Sequence, residues 1–188
     1  MARIEYKNDR TRASEEAEGS DGRLNVSSRV DFRPYYNSRD EGQCYTMTFD
    51  HPAAADGQYS FYLQNTSVDK TLVVSSIGIN STNIARLKLW AVTGTAVNGV
   101  ARTPHNLNET SPNDAAASTA VHDGGGTAIS GITTEGIELD DIQLTLNGHD
   151  EFRLSDRVRM GQNDAMALEM DLGTSTPNVF GVIFFYYE

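Results

Sequence analysis

Tyr45-Thr46-Met47-Thr48-Phe49 alternates apolar and polar side chains with a period of two. That rhythm puts Tyr45, Met47 and Phe49 on one face of a strand and the two threonines on the other. It returns in residues 58–64, where Tyr59, Phe61 and Leu63 are expected inward, and Pro52 with Asp56-Gly57 makes residues 51–57 the intervening loop. Leu72-Val73-Val74-Ser75-Ser76-Ile77-Gly78-Ile79 reads as the next strand, and the short polar stretch 65–69 before it suits an antiparallel hairpin. In residues 85–92, Leu87, Leu89 and Ala91 fall on one side and Arg86, Lys88, Trp90 and Val92 on the other.

The last third keeps the pattern. Ile142, Leu144 and Leu146 alternate with polar residues, Asn147-Gly148 signals a tight turn, and residues 151–154 supply a strand, so a hairpin is expected there. Gln162-Asn163-Asp164 marks another turn before a strand with Met166, Leu168 and Met170 on one face. Residues 179–187 are apolar at both parities, which predicts a central strand covered on two sides. No stretch of a dozen residues shows an apolar period of 3.6. Strands without crossover helices predict an all-β fold, an antiparallel β-sandwich of jelly-roll-like form.

At 188 residues the chain suits one well-filled core. Residues 29–188 are assigned to the sandwich. Residues 1–28 are charged and small, with almost nothing apolar between Tyr6 and Leu24, so they cannot offset their ordering entropy alone and are expected to form a flexible or extended N-terminal arm. Residues 93–131, rich in Gly, Pro and Asn, read as an elaborated loop reaching toward a partner, with short strands at 99–102 and 116–121.

The formal charge of −11 argues against nucleic-acid binding, which needs a basic stripe to displace counterions, and against docking on an anionic membrane. No apolar run approaches the roughly 18 residues of a membrane span, and residues 1–5 do not begin a signal peptide, so synthesis in a cytoplasm is expected.

The search for chemistry yields no catalytic, cofactor-binding or metal-binding assignment. His51, His105, His122 and His149 are far apart in Gly, Pro or Asn contexts and read as solvated loop residues. There is no Gly-x-Ser-x-Gly string, and Cys44 has no neighbouring base to activate it. Asp140-Asp141 and Asp150-Glu151 read as surface pairs, and His122-Asp123-Gly124-Gly125-Gly126 lacks the Lys and Ser/Thr of a phosphate-binding loop. Calcium at Asp140, Asp141, Asp156 or Asp164 stays chemically open without the EF-hand spacing. A non-enzymatic binding protein is the expectation.

Several phrases in order carry a resemblance: Tyr35-Tyr36-Asn37-Ser38-Arg39-Asp40, Tyr45 to Asp50, Leu63-Gln64-Asn65-Thr66-Ser67, Leu87 to Ala96, Asn106-Leu107-Asn108 and Gly161-Gln162-Asn163-Asp164-Ala165. Together they resemble small virion structural proteins of tailed bacteriophages, over the chain from about Ser28 onward. The resemblance implies a capsid decoration (cement) subunit on the capsid surface, bound to the major capsid protein and to copies of itself. A homotrimer is expected by analogy, because trimeric β-domain assemblies suit the local threefold axes of icosahedral shells. A tail or head-fibre attachment protein with a carbohydrate-binding sandwich is the alternative, with Tyr35, Tyr36, Tyr59, Tyr62 or Trp90 stacking on sugar rings. The residues expected to touch a partner are Tyr6, Arg10, Arg12, Arg23, Tyr35, Tyr36 and Trp90, cationic and aromatic groups of the kind enriched at interfaces.

Overall fold

The computed structural model describes residues 5–7, 14–16, 38 and 41–188, apart from 124–126 and 173–175. The chain divides into a small unit, Met1–Phe32, and a large one, Arg33–Glu188. In the small unit β1 (Glu5–Lys7) and β2 (Ser14–Glu16) form an antiparallel ladder with Tyr6 opposite Glu15.

Apart from π-helical backbone at Ser38 and Glu41, the described part of the large unit is strand, turn and loop. Its strands are β3 (Cys44–His51), β4 (Tyr59–Asn65), β5 (Leu72–Ser81), β6 (Ala85–Gly94), β7 (His105–Asn106), β8 (Ala117–Val121), β9 (Ile132–Leu144), β10 (His149–Met160), β11 (Ala165–Leu172) and β12 (Val179–Tyr187). They form two five-stranded antiparallel sheets, ordered β10-β5-β12-β3-β7 and β8-β4-β11-β6-β9. The sheets pack face to face as a β-sandwich. The main core between them takes Tyr45, Met47 and Phe49 from β3, Phe61 and Leu63 from β4, and Met166, Leu168 and Met170 from β11, as their alternation dictates.

Ladders join β3 to β12, β4 to β11, β5 to β10 and β6 to β9. The chain thus runs as a long two-stranded ribbon, folded back on itself after β6 and wound between the two sheets. The insertion at its tip carries β7 and β8, which add one edge strand to each sheet.

Two expected hairpins are absent, because turn chemistry specifies a reversal and not the sheet to which the chain returns. β4 and β5 lie in different sheets, and so do β9 and β10. The first crossing is pinned by buried Asn65, whose Nδ2 donates to the carbonyls of Lys70 (2.8 Å) and Met160 (2.9 Å). The second turns at Thr145–Gly148, where the Gly148 N–H donates to the Thr145 carbonyl at 2.8 Å. Leu146, expected in the apolar row, stands in that turn and is 63% exposed.

Bulges correct the parity elsewhere. The β4–β11 register slips at Ser60, so Phe61 and Leu63 face the main core while Tyr59 packs with Tyr62 on the opposite side. A similar slip at Ser75 lets Leu72, Val74, Ile77 and Ile79 all point inward from β5. The expected strand at 116–121 is β8, whereas the stretch at 99–102 contributes one bridge, Val100 with Val121.

Candidate functional site

The two outer faces of the sandwich differ. On the second sheet, the face away from the core carries its own apolar cluster of Tyr62, Val92, Ala120, Ile129, Ala165 and Ala167, with Tyr59, Trp90, Ala96 and Ile132 packed against it. Residues of the 95–132 insertion supply Ala96, Ala120, Ile129 and Ile132, so this loop-rich stretch folds back over the sheet as a cover. Tyr62 is fully buried and its hydroxyl donates to the Gly94 carbonyl at 2.9 Å, which removes it from the sugar-stacking candidates.

Trp90 is half-buried at the border of this cover. Its Nε1–H donates to Glu169 Oε2 at 2.6 Å, and the Lys88 ammonium stands 5.7 Å from the ring centroid. Lys88 in turn pairs with Asp171 (3.0 Å) and Glu138 (3.7 Å), and Arg86 pairs with Asp141 (2.5 Å). The ring thus packs against the apolar cover, lies under a cation and is tied to a carboxylate, contacts that hold it in place.

The first sheet exposes an apolar stripe on its outer face. Phe180, Val182 and Phe184 follow one another along the central strand β12, and Phe180 and Phe184 are 40% and 36% exposed. Their cross-strand neighbours are Asp50, Thr48 and Thr46 on β3 and Asn80, Gly78 and Ser76 on β5. An aromatic row rimmed by hydroxyl and amide groups, with one carboxylate, has the composition of an interface centre. Residues 179–187 were expected to be covered on two sides, but among the described residues only the inward set of Val179, Ile183, Phe185 and Tyr187 joins the main core. At one end of this outer face Cys44, Val73 and Tyr186 form a small buried cluster. Burial pushes the Cys44 thiol up to about 11, against a smaller opposing pull from a backbone hydrogen bond with Tyr45.

Two histidines expected in solvated loops meet inside the sandwich. His51, at the end of β3, is fully buried, and its ring centroid lies 4.0 Å from that of half-buried His122. Gln58 Oε1 accepts from the Ala55 N–H (3.1 Å), so it also accepts from His51 Nε2 (3.2 Å), and His51 Nδ1 accepts the Ser60 hydroxyl (3.0 Å). Burial and the facing His122 hold His51 down to about 4. The signal was in the alternation itself, since position 51 continues the inward parity of 45, 47 and 49.

The sandwich end where β3 starts and β12 finishes holds a polar cleft of about 280 Å³, whose walls include Gln43, Asp69, Lys70, Asn113 and Asp114. Tyr45, also in its lining, is 1% exposed and stacked on Phe185 at 5.6 Å, with its hydroxyl donating to the Asn113 carbonyl at 3.3 Å. The Tyr45 phenol is pushed above its ordinary range by burial and then by the Asp114 carboxylate.

Of the residues expected to touch a partner, Tyr6 lies in β1, and Arg10, Arg12, Arg23, Tyr35 and Tyr36 lie outside the described residues. No group of three or more His, Cys, Asp or Glu among the described residues is placed to hold a metal ion, and no described helix is long and apolar enough to cross a membrane. No protein-family model, curated protein or solved structure matches this chain.

Proposed function

We infer that this chain is a virion structural protein, a capsid decoration or cement subunit that binds the major capsid protein and neighbouring copies of itself as a homotrimer on the capsid surface. The likeness of its phrases to tailed-phage virion proteins supports the reading, and so does the winding of the ribbon. In the large unit β3 pairs with β12, β4 with β11, β5 with β10 and β6 with β9, a nested pairing compatible with the jelly-roll form proposed for it.

The observation that carries the reading is the Phe180-Val182-Phe184 stripe. A middle strand of an antiparallel sheet ordinarily turns polar side chains to water. Covering the 40% and 36% of Phe180 and Phe184 still exposed gains about 0.5–1 kcal/mol per ring, that share of the roughly 1.5–3 kcal/mol of a full burial. The stripe itself is uncharged, and His149, Glu151 and Arg153 continue its rows on β10, so the partner surface that matches its centre is apolar. The coat subunit of a particle presents such surfaces in many symmetric copies, which multiplies weak contacts into firm attachment.

Cryo-electron microscopy of purified particles tests this. The expected map places the sandwich on the head with the β12 outer face against a coat subunit. Particles that lack the chain, or carry it only at the tail, overturn it.

A tail or head-fibre attachment role is the second reading. The polar cleft favours it; Tyr62 and Trp90 do not, because one is buried and the other is capped by Lys88.

A further inference from the structure

The polar cleft is assembled from four segments far apart in sequence: Gln43 ahead of β3, the 67–70 crossing after β4, residues 112–116 of the insertion, and the end of β12. Its walls are held by hydrogen bonds made within the protein. Ser67 Oγ donates to Asp69 Oδ1 (2.9 Å), the Ser67 N–H donates to Asn65 Oδ1 (2.9 Å), and Asn113 Nδ2 donates to the Glu41 carbonyl (3.0 Å). A site whose shell is fixed before binding loses little freedom on binding.

Lys70 and Asp114 both line the cleft, and neither side chain is in an ion pair among the described residues. A ligand that satisfies both must accept from the ammonium and donate to the carboxylate. A hydroxyl does both at once, and Gln43 offers an amide that also donates and accepts. Asp69 and Asp114 outnumber Lys70, so the rim disfavours phosphates and other anions. The volume lies just under the roughly 300 Å³ at which drug-sized pockets begin, a scale that suits one ring.

We propose that this cleft binds a single ring of a neutral saccharide, its hydroxyls engaging Lys70 and Asp114. Binding here is independent of docking through the β12 outer face.

The test is a two-dimensional amide NMR titration of the full chain with glucose, galactose, mannose and N-acetylglucosamine to roughly 50 mM, above the millimolar affinity expected of a few hydrogen bonds. With at least one of the four sugars, the amides of Gln43, Lys70, Asn113 and Asp114 move saturably. Asp114→Asn and Lys70→Met each weaken that response about tenfold or more, with otherwise superimposable spectra. Phe180→Ser leaves the titration unchanged, which separates this site from the outer face. Absence of a saturable shift at these amides with all four sugars overturns the proposal, as does a response that survives both rim substitutions.

Discussion

His51 and His122 lie ring against ring inside the sandwich, with centroids 4.0 Å apart, and both nitrogens of His51 are engaged in hydrogen bonds. A proton added to His51 is a buried positive charge facing a second imidazole, and its Nδ1 ceases to accept from Ser60. The folded chain therefore holds His51 down to about 4, below the ordinary 6.5. In that window the unfolded state binds more protons, so the contribution of neutral His51 is complete above about pH 6.5 and is lost as pH falls toward 4.

The stability difference between the wild-type chain and His51→Gln should shrink by roughly 3 kcal/mol between neutral pH and about pH 4. Urea denaturation at a series of pH values measures it. A difference that stays constant over that range would show that His51 does not titrate as its surroundings dictate.

Gly181 on β12 lies opposite Phe49 on β3. A Cβ at this position would come within 2.9 Å of Phe49 Cζ and would overlap the Gly78 carbonyl oxygen. Gly181→Ala is expected to cost about 1–3 kcal/mol through overpacking, read as a lowered denaturation midpoint with an unchanged slope. A neutral substitution would mean that the strands part at no cost.

Trp90→Phe keeps an apolar ring and removes the donor to Glu169, leaving a half-buried carboxylate without that bond. A loss of about 1–2 kcal/mol is expected. In a double-mutant cycle with Glu169→Ala the two losses should couple; simple additivity would assign the indole to packing alone.

Cys44 is 4% exposed, and its thiol is pushed up to about 11. Near pH 8 the native chain should react with a thiol reagent at least about a hundredfold more slowly than the unfolded chain, since the nucleophilic thiolate is scarce. Equal rates in buffer and in denaturant would contradict the burial.

The sandwich was readable from Tyr45, Met47, Phe49, Met166, Leu168 and Met170 because alternation reports directly which side chains face the core. The sheet assignments were not, since Asn147-Gly148 reverses the chain identically whether it pairs with its neighbour or crosses to the facing sheet. Ser60 and Ser75 each shift a register by one residue, and small polar residues give no advance sign of a bulge. Phe180 and Phe184 looked buried because apolar residues at both parities are the mark of a two-sided strand, and the same mark is left by a strand that packs one side on the core and exposes apolar side chains on the other. The cleft joins Gln43, Lys70 and Asp114 across sequence gaps that no local motif spans.

The most direct test of the central claim is binding of the chain to particles stripped of it, comparing wild type with Phe180→Ser/Phe184→Ser. Both substitutions lie on the outer face and leave the main core intact. If the stripe is the docking surface, the double variant binds at least about thirtyfold more weakly, as expected for the loss of a central aromatic anchor, while its thermal unfolding stays near that of the wild type. Equal affinity of the two proteins for the stripped particles would contradict the assignment.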